Sequence, residues 1–249
     1  MEDECGQWER LAGEFAETKK YFQAAKQYKQ AAICYLERVV EMTKKAAEYF
    51  HYHAEDSVEK DDHKAAALAY FEAATQYKQL SDFATALTLF ENAAREALEE
   101  KMTETAAQSY LWAAHSCHKL GNSEYFLTCA DNMGQLYDKA ADEALQDGKA
   151  ERAVIDLSLA AMGLATIEKT TEAKKRIAKA RRIVDKTTWD WLNSLLTFSQ
   201  ALTENRLEEA DDVLKTFKQE ETIQEVMDAC LSILEEREKK RKKTGKKVS

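Results

Sequence analysis

Ala65-Ala66-Ala67-Leu68-Ala69-Tyr70-Phe71-Glu72-Ala73-Ala74 places small residues and one aromatic ring at spacings of three, four, seven and eight, which is a single helical face. Small side chains let a neighbouring helix backbone come close, and the ring fills the space beside them. The pattern recurs. Ala24-Ala25-x-x-Tyr28-x-x-Ala31-Ala32 precedes it, Ala106-Ala107-x-x-Tyr110-x-x-Ala113-Ala114 follows it, and Ala153-Val154-x-x-Leu157-x-x-Ala160-Ala161 is a weaker fourth copy. The copies lie 42, 40 and 47 residues apart, enough for two helices of about 15 to 18 residues and their turns.

Working outward, the punctuation agrees. Ser81-Asp82, Gly121-Asn122-Ser123, Asp147-Gly148 and Lys169-Thr170-Thr171 supply cap and turn chemistry beside the copies. Partner helices are predicted over Phe83 to Glu100, Glu124 to Gln146 and Glu172 to Lys186. Thr187-Thr188 opens a further helix through Trp189, Leu192, Leu196 and Ser199. After a turn at Asn205 come helices over Leu207 to Phe217 and Thr222 to Arg237. Phe22 to Glu59 has no clear break, and a turn is expected near Glu41 to Thr43.

The 249 residues include no proline and seven glycines, so long helices run uninterrupted, and no stretch alternates apolar and polar residues as a strand would. The fold class is all-α. The expected architecture is a right-handed superhelical solenoid of antiparallel helix pairs over residues 1–238, with a C-terminal helical end and a disordered basic tail over 239–249. No apolar run reaches 18 residues, and Met1-Glu2-Asp3-Glu4 lacks the basic start of a signal peptide, so a cytoplasmic location is expected. Five scattered cysteines (Cys5, Cys34, Cys117, Cys129, Cys230) suit buried thiols better than a disulfide framework.

The net charge of −9 is uneven. Lys239 to Lys247 carries seven basic residues and no acid, which leaves an acidic body and gives no reason to expect nucleic-acid binding by the fold. Against that background Lys169 to Lys186 holds eight basic residues and two acids. Ala173, Ile177, Ala180 and Val184 form its buried line, with Lys175, Lys179, Arg182 and Lys186 a second line at the same pitch and Lys174 beside it. Such a line could meet an acidic helical bundle, charge guiding orientation and on-rate. The plainer reading is a solvated helix face.

The alanine–tyrosine decad at 65–74, its partner Ala86-Leu87-Thr88-Leu89-Phe90-Glu91-Asn92-Ala93-Ala94 and the stretch Ala106 to Leu120 resemble tetratricopeptide-type repeats. More narrowly, they resemble the soluble N-ethylmaleimide-sensitive-factor attachment proteins. So does the C-terminal end, where acidic Glu204 to Leu214 precedes an apolar helix from Ile223 to Leu234. The resemblance implies an adaptor. Its basic residues, Lys174, Lys175, Lys179, Arg182 and Lys186, would grip a helical SNARE-like bundle. Its acidic terminus, with Glu208, Glu209, Asp211 and Asp212 and the apolar Leu231 and Leu234, would engage a hexameric AAA ATPase.

The basic run Lys239, Lys240, Arg241, Lys242 and Lys243 could tether the chain to an anionic membrane surface, at about 1 kcal/mol per charge. It could equally serve as a nuclear-import or nucleic-acid patch or a solubilising end. His51, His53 and His63, or His115 with Cys117 and His118, lack zinc-ligand spacing, so no metal is expected. No phosphate loop, HExxH, GxSxG or CxxC is present, so neither cofactor nor catalysis is expected. Trp8, Trp112, Trp189 and Trp191 read as packing anchors. The alternative to the fusion adaptor is a general repeat scaffold or co-chaperone.

Overall fold

A computed structural model describes residues 4–18, 21–184, 190–218 and 221–243. Among them are eleven α-helices and no strand: α1 Glu4–Glu17, α2 Tyr21–Glu59, α3 His63–Gln79, α4 Phe83–Glu99, α5 Thr103–Leu120, α6 Ser123–Gln146, α7 Ala150–Thr166, α8 Thr170–Val184, α9 Trp191–Thr203, α10 Leu207–Thr216 and α11 Glu221–Lys243. Each helix packs on the next, which is the stacking expected of a helical solenoid. The last helix departs from that order: α11 turns back to touch α5, α7 and α9, so it crosses the odd-numbered layer.

One turn joins these helices again and again. Asp61, Ser81, Lys101, Gly121, Gly148, Glu168 and Asn205 all take positive φ. The residue after each donates its amide five residues back, as in Asp82 N to Tyr77 O at 2.9 Å and Arg206 N to Ala201 O at 2.8 Å. This is the Schellman closure, which satisfies carbonyls left over at a helix end. The following residue then caps the next helix. Asp62, Asp82 and Asn122 accept from the amides of Ala65, Thr85 and Tyr125 through their side chains.

The alanines of the repeated ridges are buried in the second, third and fourth copies, while Tyr110 of the third is half-buried. Ala66, Ala67, Ala73, Ala74, Ala106, Ala107, Ala113, Ala153, Ala160 and Ala161 are fully enclosed, and Tyr70 and Leu157 lie with them in the core. Phe90, Trp112 and Phe198 fill the spaces between layers. The first copy differs: Ala24 and Ala31 are buried, but Tyr28 is half exposed.

Three readings of the sequence are corrected. The turn near Glu41 to Thr43 does not exist, and α2 runs unbroken for 39 residues. Nothing there supplies the left-handed residue that the other turns use. Instead Thr43 Oγ1 donates to Val39 O at 2.9 Å, and Lys45 pairs with Glu41 one turn away at 2.6 Å, both within the helix. Second, Cys5 and Cys34 are bridged, because α1 lies along the first half of α2 and brings their Cα atoms to 5.5 Å. Cys117, Cys129 and Cys230 are buried thiols, as expected. Third, α11 continues past Arg237 through Lys243, so the start of the basic run is helical. Thr187-Thr188, Trp189 and Lys186 lie outside the described residues.

Cap and core should separate in mutant stability. Asp82→Ala removes one helix cap and is expected to cost about 1 kcal/mol. Phe90→Ala empties a closed space and should cost about 3–5 kcal/mol. Urea unfolding of the full chain checks both; equal losses would mean that the Phe90 layer is not close-packed.

Candidate interaction surface

The structure divides the basic line of α8 in two. Lys169 reaches Asp131 at 2.5 Å, Arg176 reaches Asp138 at 3.0 Å and Lys179 reaches Asp142 at 2.6 Å. These three acids lie along α6, so part of the stripe forms an ion-pair ladder between two even-numbered helices. Lys174 is exposed with Glu204 as a charge neighbour. Lys175 and Arg182 stay exposed with no ion pair among the described residues. The stripe therefore lies in the even-numbered layer, whereas α11 covers the odd-numbered one.

The acidic residues of α10 are mostly engaged locally. Glu209 pairs with Arg206, Lys215 holds Asp211 at 2.5 Å and approaches Asp212 at 3.7 Å, and Glu208 lines a small cleft with Lys239 and Lys242. Leu231 and Leu234 are core residues, 4% and 8% exposed, so they do not form the open apolar contact expected of them. They are buried because α11 lies on the stack. Ile223, Val226, Met227, Cys230 and Ile233 share that buried side. Polar contacts fix the helix along its length. Glu225 meets Lys78 at 3.2 Å, Glu236 meets His118 at 3.1 Å, and Arg237 donates to Thr166 O. The basic run is partly paired too: Lys239 with Glu235, Lys242 with Glu238, and Arg241 with Glu168.

The histidines are dispersed. His63 Nδ1 lies 2.7 Å from Glu96, and His51 stacks near Tyr70. His115 sits against Trp112 and Phe83, where burial, with Lys119, Lys78 and His118 adding to it, pushes its imidazolium down to about 4. Among the described residues no three His, Cys, Asp or Glu side chains gather as a metal would require. Of the expected tryptophan anchors, Trp112 is buried and lies under Lys78 Nζ, 3.5 Å from its ring centroid.

A cleft of about 610 Å³ opens between α5, α6 and α7, lined by Glu104, Glu143, Lys149, Arg152 and Asp156 among others. Asp156 is buried and accepts from Arg152 at 3.0 Å; Arg152 also holds Glu104 at 2.7 Å. Burial pushes the Asp156 carboxyl up to about 6 despite the guanidinium beside it.

The surface that sequence reasoning missed is on α2. Ile33, Tyr35, Leu36, Val39, Val40, Met42, Tyr49, Phe50 and Tyr52 are each between 37% and 71% exposed. Tyr35, Val39, Met42, Ala46 and Tyr49 alternate spacings of four and three, the period of a helix-packing seam. Among the described residues, α1 and α3 cover the first and last parts of α2, through contacts such as Tyr35 Oη to Glu9 at 2.9 Å and His51 to Tyr70. Apolar side chains grouped on one side of a helix in this way are costly to leave in water. The signal was present in the sequence as a seam period; the assumed turn at Glu41 to Thr43 cut it in half.

The chain matches no family model, and no curated protein matches its sequence. No helix among the described residues is long and apolar enough to cross a membrane.

Asp156 gives a pH signature. Its folded-state affinity for the proton is raised above the ordinary value of 3.8, so its stabilising contribution is complete below that value and is lost as pH rises through about 6. The difference in unfolding free energy between the native chain and Asp156→Asn should therefore shrink across this window and then level off. Urea titrations at several pH values measure it; a difference independent of pH would show that Asp156 is not held in a raised state.

Proposed function

We propose that this protein is a non-enzymatic interaction scaffold that docks helical protein segments along its surface. The open apolar face of α2 carries the reading. An uncovered seam with a helix-packing period is complementary to another helix, and its tyrosines supply large contact area at small entropic cost. Away from it, part of the chain's charge is spent on itself, in the α6–α8 ladder and the anchors of α11. In this reading antiparallel helix pairs wind as a right-handed superhelix and present surface, not a pocket.

The narrower reading is an adaptor that binds a SNARE-like bundle and recruits a hexameric AAA ATPase in membrane trafficking. It draws on the resemblance to attachment proteins and on Lys175 and Arg182, two exposed cations of α8 with no ion pair among the described residues. With Leu231 and Leu234 buried, its ATPase contact falls to the acids Glu208 and Asp212 of α10.

Binding of a purified four-helix SNARE bundle to the full chain tests both. Lys175→Glu with Arg182→Glu leaves the α6–α8 ion pairs in place and is expected to weaken binding about tenfold at low salt and flatten its salt dependence. Leu36→Glu with Val39→Glu tests the apolar face in the same assay. A bundle that binds neither native chain nor variant, together with no recovery of the ATPase, overturns the adaptor; the scaffold reading falls only if the α2 substitutions also leave every association of the chain unchanged.

A further inference from the structure

We infer that the helix docked on α2 is α2 of a second copy of this chain, crossing antiparallel about a two-fold axis at Met42. The inference rests on the scaffold reading above and names the occupant of the same face.

The seam is nearly symmetric about its centre. Tyr35 and Tyr49 each lie seven residues from Met42, so an antiparallel crossing there sets Tyr35 of one copy against Tyr49 of the other at both ends, with the two Met42 side chains meeting between them. Methionine is the side chain best able to adapt to its own image at such a point. The two tyrosines are about 21 Å apart along the helix, so the crossing engages roughly four turns on each copy.

Charge favours the same arrangement. Ile33 to Tyr52 holds three acids, Glu37, Glu41 and Glu48, and three bases, Arg38, Lys44 and Lys45. The segment is neutral within a chain of net charge −9, so two copies can meet here where other acidic surfaces would repel. An antiparallel crossing at Met42 sets Glu41 opposite Thr43, Lys45 opposite Val39, Arg38 opposite Ala46 and Glu48 opposite Leu36, so no like charges lie directly opposite. A parallel arrangement would instead stack Glu41 on Glu41. The balance of charge also separates this face from a membrane-surface helix, whose polar side is rich in Lys and Arg.

The area suffices. Tyr35, Leu36, Val39, Val40, Met42, Tyr49 and Phe50 lie on one side of the helix and present on the order of 100 Å² each when half exposed. With the aliphatic stems of flanking lysines the face approaches the ~800 Å² per partner that a stable complex buries.

Sedimentation equilibrium on the full chain should show a dimer, and Leu36→Glu with Val39→Glu should raise its dissociation constant at least a hundredfold while helicity and unfolding midpoint stay unchanged. Because that variant could also act through the fold, Met42→Cys gives an independent readout. Under mild oxidation it should form a covalent dimer in high yield, whereas Glu99→Cys, away from the seam, should not. A native chain that stays monomeric at about 100 µM, or a Met42→Cys chain that links no faster than Glu99→Cys, overturns the inference. If the native chain is monomeric yet the α2 double variant loses the SNARE bundle or phosphatidylcholine vesicles, self-pairing is wrong and the face docks that other partner. If the variant changes neither self-association nor any other binding, the scaffold reading fails with it.

Discussion

Helices can stack closely only where their side chains stop at Cβ, and this chain meets that requirement at Ala66, Ala73, Ala106, Ala113, Ala153 and Ala160, each fully enclosed. The backbone approach these residues permit leaves narrow spaces that single rings fill, Phe90 and Trp112 among them. The turn geometry is the second half of the constraint. A left-handed residue followed by a capping residue reverses the chain within three positions. Asp61-Asp62, Ser81-Asp82, Lys101-Met102 and Gly121-Asn122 repeat this at intervals of 20 residues, so successive alanine ridges arrive in register. Five of the seven left-handed positions are not glycine. Their strain is small beside the carbonyls that each Schellman closure satisfies.

Both halves of this constraint are local, which is why most of the stack is legible in the sequence. The alanine spacing marks the buried faces of α3, α5 and α7, and Ser81-Asp82, Gly121-Asn122 and Asp147-Gly148 mark where helices end. Local signals fail where distant segments decide. Nothing in Glu221 to Lys243 says that it crosses the odd-numbered layer, because Lys78, His118 and Thr166, which receive it, come from separate repeats. The Cys5–Cys34 bridge and the Asp131, Asp138 and Asp142 partners of α8 have the same origin. A basic line read along one helix looks free; only its neighbour shows that half of it is neutralised.

The path of α11 changes what the rest of the stack can offer. By lying on α5, α7 and α9 it covers one side of the odd-numbered layer, and it does so with eight buried side chains between Ile223 and Leu234. That burial is of core quality. The side chains left exposed therefore lie elsewhere, the cations on α8 and the large apolar ones above all on α2.

Why α2 is the place follows from its length. At 39 residues it is more than twice as long as α3 or α4, so neither α1 on one end nor α3 on the other can cover its middle. A solenoid protects the faces of helices that match the repeat and exposes any stretch that outruns it. On an exposed stretch selected only for solubility, charged residues should occupy the open side. Here Leu36, Val39 and Met42 occupy it, with acids and bases in balance on the flanks. Such a side costs solubility in an isolated molecule and gains contact area in an associated one. The helix that outruns the repeat is thus the one that leaves apolar side chains uncovered.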